Sequence, residues 1–414
     1  MAKTPAELYR ERTRRVEDAI QLKVPDRVPL VVSFGLFPAK YAGITCQDAY
    51  YDSEKWGAAV KKTLLDFKPD MYHGSAIVSG AVLGHLGCTQ VKWPGDGVSP
   101  HHTHQFVEGE YMKADEYDAF FEDPSDWVVR TYMPRIYKNL GPLKSLPRLS
   151  SMVFGYGQAM QVGALAAPDV AGALDALVKA GLAARDWQAA HNSLHKEIIE
   201  LGFPLVSGPS TNAPFDMVTD YLRGMRGTML DMYRQPEKLI KACEMLLPLL
   251  IERGVSGARR SGNPRVFIPT HRGSDGFMSL KQFEIFYWPT FKKLMMAFID
   301  EGLTPCPFLE GDWTQRLEIL LELPKGKVLG HFDRTDMKRA KEVLVGHMCI
   351  RGNVPSSLLQ TRSPQEVIDY CKQLIDVVGK GGGFIMAPGC VVDEAKPENI
   401  RAMIDFTKEY GVYH

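Results

Sequence analysis

Three side chains that can bind a metal stand at the ends of short apolar stretches. Glu310 ends the stretch LTPCPFLE, His331 stands near the end of KVLGHFD, and Cys390 follows GGFIMAPG. Carboxylate, imidazole and thiolate are all normal zinc ligands, and three protein ligands with one open position are typical of a catalytic zinc. Taken singly, each could instead be structural: a solvated turn residue, a core histidine or a small buried residue. Together they predict a Zn²⁺ site made by Glu310, His331 and Cys390.

The segment THRGSDG, residues 270–276, is the second candidate for chemistry. His271 could act as a general base or bind a substrate oxygen, with Asp275 as a second catalytic residue and Arg272 beside them on the substrate. The alternative is a loop of ordinary polar residues.

Other side chains near the predicted strand ends are expected to contact a substrate. Aromatic side chains suit a flat substrate, although residues of this kind more often belong to the core. The predicted substrate-binding residues are Phe34, His73, Tyr221, Arg272, Phe308, Trp313 and Asn353.

Eight short apolar stretches alternate with helical patterns along most of the chain. They show little polar alternation, as expected of strands covered on both faces. Repeated strand–helix units predict an α/β fold, a (β/α)8 TIM barrel with its active site at the carboxyl ends of the strands. An open doubly wound sheet is the alternative, weakened because no GxGxxG follows the first strand. The predicted strands are 28–35, 70–74, 203–209, 265–271, 303–311, 327–333, 348–354 and 382–389.

The predicted helices between these strands include two with serine at the start. Ser53 and Ser363 are expected to cap their helices, because a serine hydroxyl can accept a hydrogen bond from a free backbone N–H of the first turn. The predicted helices include 53–67, 280–301, 313–323, 335–345 and 363–379.

One connection is much longer than the others. Residues 75–202 separate the second and third strands, far more than an ordinary connection. This insertion contains a hairpin-like pair, TQVKWPG and HQFVEGEYM, and ends in helical sequence. We expect residues 1–414 to form a single barrel domain, with 75–202 as a helical cap over its mouth.

Composition narrows the function classes. The 414 residues include 49 Lys and Arg against 49 Asp and Glu, so no global charge draws the protein to nucleic acid or to an anionic membrane. The start of the chain is charged and helical in pattern, which predicts a cytoplasmic protein. Seven scattered cysteines contain no CxxC pair and fit neither a disulfide framework nor a zinc ribbon.

Five segments, in this order, resemble the uroporphyrinogen decarboxylase superfamily. The last is the most specific, and together they extend over nearly the whole chain outside the insertion. The resemblance implies a (β/α)8 barrel, in agreement with the strand count. The segments are PDRVPL (25–30), SGPSTNAPFD (207–216), RGNVPSSLL (351–359), SPQEVIDYCKQLID (363–376) and GGGFIMAPGCVVDEAKPENIRAMIDFTKEYG (381–411).

The chain departs from true uroporphyrinogen decarboxylases after the first strand. Their arginine-rich motif, near MRQAGR, is replaced here by VVSFGLFPAKYAG, residues 31–43, which lacks both arginines. Several substrate carboxylates would then lack charged partners.

The chain is more similar to the zinc methyltransferases of corrinoid-dependent systems. Cys390 matches the last cysteine ligand of that branch, and Glu310 stands where the cysteine of its His-x-Cys motif would be. The resemblance to O-demethylase components implies carboxylate and histidine ligands, with His331 one strand later. It implies a zinc-dependent methyltransferase that demethylates a small substrate, an aryl methyl ether, and passes the methyl group to a corrinoid (cobalamin) protein. It also allows a homodimer.

Two other functions stay open. A metal-independent decarboxylase or lyase on the same barrel would use His271, Asp275 and Arg272 on a carboxylate substrate, and would tolerate Glu310→Gln. A non-catalytic corrinoid- or tetrapyrrole-binding protein would bind its ligand without turnover.

Overall fold

Short parallel strands and many helices make up the fold. The structure, a computed structural model of the chain, describes residues 3–74, 77–153 and 155–414. The strands are β1 Val31–Ser33, β2 Met71–His73, β3 Val91–Pro94, β4 Gly97–Val98, β5 Gln105–Phe106, β6 Arg265–Thr270, β7 Thr304–Leu309, β8 Leu329–Phe332, β9 Cys349–Arg351 and β10 Phe384–Ile385.

Helices connect and cover these strands. The α-helices are Pro5–Ile20, Phe37–Ala42, Cys46–Tyr51, Ser53–Phe67, Gly80–Leu86, Tyr117–Glu122, Pro124–Trp127, Met133–Ile136, Leu149–Val153, Pro168–Glu200, Pro214–Val218, Gly224–Arg234, Pro236–Ser261, Leu280–Gln282, Trp288–Asp300, Met337–Leu344, Ser356–Thr361, Pro364–Leu374 and Pro397–Tyr410. Four 3₁₀ segments, Lys138–Ser145, Tyr156–Ala166, Thr314–Arg316 and Glu318–Glu322, and four π-helical segments, Val128–Tyr132, Thr219–Arg223, Phe283–Tyr287 and Ile375–Gly379, complete the described helices.

The predicted α/β class with parallel strands is confirmed. The strands β6 to β10 form one parallel sheet in chain order, and β1 pairs in parallel with β2. An isolated parallel bridge joins Leu30, just before β1, to Met386, just after β10.

The predicted third strand, 203–209, is present only as isolated bridges. Leu205 bridges Tyr72 of β2, and Ser210 bridges Phe267 of β6, both in parallel. Pro204 and Pro209 explain the interruption, because proline has no N–H to donate to a ladder. Their carbonyl groups still accept hydrogen bonds from the neighbouring strands, at 3.3 and 2.9 Å.

The predicted helices are present apart from 313–323, with differences at their ends. Ser363 caps its helix in a reciprocal arrangement with Glu366, as predicted. The helix from Ser53 is instead capped by Asp52, whose side chain accepts from the N–H of Lys55 at 3.0 Å. The predicted helix 313–323 is two short 3₁₀ turns.

The side chains on the inner face of the strands form layers, because successive residues of a strand point to opposite faces. The deepest layer is apolar and packs against Val16, Ala19 and Ile20 of the first helix. Its strand residues are Val31, Met71, Val206, Cys306, Leu329, Cys349 and Ile385.

The next layer toward the carboxyl ends of the strands is polar and aromatic. We call it the inner layer. Ring contacts join His73 to Phe267, Phe267 to Phe308 and Phe308 to His331. Nη2 of Arg351 donates to Oγ of Ser33 at 3.1 Å. The strand residues of the inner layer are Ser33, His73, Phe267, Phe308, His331 and Arg351, and Ser207 of the interrupted third strand joins them with its Oγ 3.3 Å from Nδ1 of His73.

The insertion contains the predicted antiparallel pair, β3 with β5. Its backbone N–H groups of Tyr111 and Met112 both donate to the carbonyl of Leu222, after the interrupted third strand. Glu108 reaches Arg272 at 3.8 Å. Residues 75, 76 and 154 of the predicted insertion lie outside the described residues.

Within the described ranges, no single helix is both long and apolar enough to cross a bilayer. The bent pair Tyr156–Ala166 and Pro168–Glu200 passes the same test of length and composition when taken together.

Candidate active site

A histidine–aspartate pair lies at the carboxyl end of β6. His271 follows the last residue of that strand, and its Nδ1 is 2.5 Å from Oδ2 of Asp220. Asp220 lies in the π-helical segment Thr219–Arg223. No described residue is hydrogen-bonded to Nε2 of His271, and 35% of the side chain is exposed. The imidazole therefore has one nitrogen held by a carboxylate and one free for a ligand.

Asp216, one helical turn before Asp220, holds the backbone of His271 and Arg272 in place. Its carboxylate accepts hydrogen bonds from the N–H groups of His271 (2.9 Å) and Arg272 (3.0 Å) and from the hydroxyl of Tyr287 (2.8 Å). Asp216 is fully buried. Burial is the main cause that raises its pKa to about 7, against the opposing charge of His271.

Charge on His271 follows from its acidic neighbours. Burial acts to lower the pKa of His271, but the hydrogen bond to Asp220 and the charges of Asp216, Asp220 and Glu310 outweigh it and raise the pKa to about 9. At neutral pH the ring is therefore an imidazolium. Its free Nε2–H can donate a proton or a hydrogen bond.

Arg272 binds the carboxylate of Asp220, which also holds His271. Its guanidinium contacts Oδ1 of Asp220 through Nε (3.2 Å) and Nη2 (3.1 Å), and lies 3.8 Å from Glu108 of the insertion. Asp220 is thus held by two cationic side chains.

Glu310 follows β7 and interacts with His271 through charge. Its side chain is exposed, but desolvation by the surrounding protein raises the pKa of its carboxyl group. The charge of His271 is the strongest effect that opposes this shift. A carboxylate that is exposed to solvent and also partly desolvated by neighbouring groups lies in a concave surface. Asp333, which follows β8, also acts on Glu310 and accepts from the N–H of Gly311 at 3.1 Å. We call this surface, formed by His271, Glu310, Asp333 and Cys390, the mouth.

Cys390 lies on the other side of the mouth. Its Sγ is 3.0 Å from Oγ of Ser356. Burial raises the pKa of the thiol, Ser356 lowers it, and the charges of Asp333 and Glu310 raise it further. A cavity of about 550 Å³ is lined by Cys390, Asp333, Asn353 and neighbouring residues.

His331 lies one layer below the other predicted zinc ligands. It is paired in register with Phe308, two residues before Glu310, so Asp333 and not His331 shares the level of Glu310. Its Nε2 donates to the carbonyl of Pro388 at 2.9 Å. Burial, followed by the charge of Arg351, lowers the pKa of His331 well below its usual value, so the ring is neutral.

The predicted zinc set therefore does not converge as placed. The donor atoms of Glu310, His331 and Cys390 have the right chemistry for zinc. In the part of the chain that the structure describes, however, no three or more His, Cys, Asp or Glu side chains are grouped so that they could hold a metal ion.

Two predicted site residues have structural surroundings. Asp275 is paired with the buried Arg316 and accepts from the N–H of Gln315 at 2.9 Å, so Asp220 takes the place beside His271 that we expected for Asp275. Trp313 is fully buried and donates to the carbonyl of Glu310 at 3.1 Å, so it supports the mouth from the core.

The remaining predicted contacts are spread over several places. Phe34 and His73 line a cavity of about 430 Å³. The amide of Asn353 donates to the carbonyls of Asp333 and Thr335 and so braces the loop after β8.

Tyr221 and Phe308 differ in their surroundings. Tyr221 is half-buried next to Asp220, and burial raises the pKa of its hydroxyl. Phe308 belongs to the inner layer, with its ring 4.8 Å from that of His331.

Sequence reasoning missed Asp216, Asp220 and Asp333. The first two stand four residues apart in FDMVTDY, directly after the interrupted third strand, and this spacing places two carboxylates on one helix face. Asp333 follows His331 by two residues, and the same alternation that buries His331 brings Asp333 to the mouth.

Comparison with known proteins agrees with the resemblance read from the sequence. Residues 189–410 match the family model for uroporphyrinogen decarboxylase (URO-D), which is more than half of the chain. A solved structure of a methyltransferase from Methanosarcina mazei has a TM-score of 0.63 over 96% of this chain and 98% of that chain, at 14% identity. Identity at this level indicates a shared fold. None of the curated protein sequences matches. The chain belongs to the uroporphyrinogen decarboxylase family.

Proposed function

We propose that this protein is a methyltransferase that removes a methyl group from a heteroatom of a small substrate, an aryl methyl ether, and passes it to the cobalt of a corrinoid protein. Family membership and the fold shared with a methyltransferase support the reaction class. The observation that carries the proposal is the pairing of His271 Nδ1 with Asp220 at 2.5 Å, which raises the pKa of His271, while no described residue is bonded to Nε2.

The chemistry asks for a proton at the leaving oxygen. The methyl carbon passes to reduced cobalt, the carbon–oxygen bond breaks, and the oxygen keeps the electron pair. An alkoxide or phenoxide is a poor leaving group, so a proton donor at that oxygen accelerates the step. His271 would donate the proton from Nε2, while Asp220 stabilises the charged ring and Asp216 fixes its backbone.

The zinc predicted at Glu310, His331 and Cys390 stays a prediction. The donor types support it, and their separation in the structure counts against it, so we assign no step of the reaction to a metal.

We further propose that the strands form a closed (β/α)8 barrel with residues 75–202 as a cap. The parallel bridges Leu30–Met386, Tyr72–Leu205 and Ser210–Phe267 support closure, because they connect the ends of the two sheets. The contact of Glu108 with Arg272 supports a cap that reaches the site. A homodimer stays a prediction.

The test is methyl transfer to free cob(I)alamin, followed by the absorbance of methylcobalamin. A panel of aryl methyl ethers, including 2-methoxyphenol and 4-methoxybenzoate, is offered to the protein prepared with zinc. We expect turnover with at least one substrate. His271→Gln should lower kcat by about 10²- to 10⁴-fold, as for loss of a general acid. The control is His85→Gln, in the insertion. Folded protein that methylates cobalamin from none of these ethers would contradict the proposal.

A second function is favoured by one observation. The imidazolium of His271 beside Arg272 is a cationic pair suited to a substrate carboxylate, as a metal-independent decarboxylase requires. This alternative predicts carbon dioxide release and full activity in Glu310→Gln.

A further inference from the structure

Arg351 is a buried cation that has no anionic partner among the described residues. It lies at the end of β9 in the inner layer, and only 3% of its surface is exposed. Its one hydrogen bond within the described residues goes from Nη2 to Oγ of Ser33, at 3.1 Å, and its Nε has no partner. No carboxylate of the described residues lies within salt-bridge distance.

The other buried arginines all bond oxygen atoms of the protein. Each bonds a carboxylate or a backbone carbonyl, as expected because an uncompensated buried charge is costly. They are Arg12, Arg15, Arg223, Arg265 and Arg316. Burial lowers the pKa of Arg351 to about 10, so its guanidinium is still charged at neutral pH. Nε of Arg316 also has no partner, but among the buried arginines of the described residues only Arg351 bonds neither a carboxylate nor a carbonyl.

The side chains around Arg351 do not neutralise it. His73 and His331 belong to the same layer, and burial followed by the charge of Arg351 lowers the pKa of each, to about 3 for His73. Both rings are therefore neutral. Because Nε2 of His331 donates to Pro388, its Nδ1 carries a lone pair and not a proton. Any negative charge that compensates Arg351 must come from outside this layer.

The walls of the layer are flat and apolar. Phe267 and Phe308 lie with their rings nearly parallel, 6.5 Å between centroids, and Phe267 lies 4.4 Å from the ring of His73. Phe267 and His73 are only half-buried, so solvent reaches this level of the protein. A ligand with an anionic group on a flat apolar body would therefore match the charge of Arg351 and the faces of these rings.

We propose that Arg351 binds a carboxylate group of the substrate, whose flat apolar body packs against Phe267 and Phe308. A guanidinium with several free N–H groups matches a carboxylate geometrically, and bonds between two charged groups are the strong ones. The inference deepens the proposed function, because it rests on that function for the identity of the ligand as substrate and names its class: a small aromatic carboxylic acid.

The test measures binding without turnover. Benzoate and, for comparison, uncharged benzyl alcohol are titrated calorimetrically into the full chain treated with chelator, with no corrinoid present. We expect benzoate to bind and benzyl alcohol to bind at least about tenfold more weakly, as expected when a charged hydrogen-bonded pair is lost. Arg351→Gln should lose the benzoate affinity by a similar factor. Arg334→Gln, an exposed arginine next to the mouth, is the matched control and should bind normally.

Equal benzoate affinity in Arg351→Gln, or no preference for benzoate over benzyl alcohol, would overturn the proposal. A co-crystal structure of the unmodified chain with benzoate gives an answer even if Arg351→Gln fails to fold. A carboxylate within hydrogen-bond distance of the Arg351 guanidinium supports the proposal, and benzoate found elsewhere or not at all refutes it. Benzoate binding without methyl transfer would leave this site standing and count only against the proposed reaction.

Discussion

At the scale of the residue, the charge around His271 decides what the mouth can do. Three carboxylates act on one imidazole, and together they outweigh the burial that would otherwise keep it neutral. Burial, followed by the charge of Arg351, lowers the pKa of His331 and His73 and keeps both rings neutral. The charge of these three histidines therefore depends on their neighbours in space, which a single sequence does not reveal.

The predicted zinc ligands are tested by metal content. The proposal of Glu310, His331 and Cys390 predicts about one zinc per chain. Cys390→Ala should lose it with the fold intact, because the thiolate would be one of only three protein ligands. Elemental analysis of the purified protein measures this, with Cys88→Ala, a cysteine of the insertion, as the control.

Zinc that persists in Cys390→Ala would show that the ligand set is wrong. Absence of zinc from protein prepared without chelator would remove the metal from the proposal and leave His271 as the chemical group.

At the scale of the element, sequence patterns located the strands and helices well but not all of their ends. The stretch 203–209 reads as a strand because it is apolar, but Pro204 and Pro209 interrupt its ladder. The stretch 313–323 reads as a helix, but it forms two short 3₁₀ turns that follow the fully buried Trp313. Such outcomes depend on tertiary packing, which overrides local preference.

The helix Ser53–Phe67 offers a test of which residue caps it. Asp52→Ala should lower the free energy of unfolding by about 1 kcal/mol, because the N–H of Lys55 loses its acceptor. Ser53→Ala should change it little, since Ser53 makes no capping bond. Urea denaturation measures both variants. A larger loss in Ser53→Ala than in Asp52→Ala would show that the serine predicted from the sequence is the true cap.

At the scale of the whole molecule, the sequence predicted the α/β class, the parallel pairing and the family. It did so because strands buried on both faces read as apolar runs, and the carboxyl-terminal block, 381–411, is specific. It did not predict the cluster of His271, Asp216 and Asp220, because their meeting depends on the neighbouring positions of the interrupted third strand and β6. The sequence also does not show that His331 lies one layer below Glu310.

The role of His271 as proton donor is tested most directly by the pH profile of methyl transfer in the unmodified protein and in Asp220→Asn. A proton donor must be protonated to act. Because the pKa of His271 is raised to about 9, activity should hold through neutral pH and fall as the pH rises past about 9. Without the carboxylate, burial acts on the ring with less opposition, so the fall should move to lower pH, toward or below the ordinary histidine value of about 6.5. An unchanged profile in Asp220→Asn, with activity retained, would show that His271 is not the proton donor.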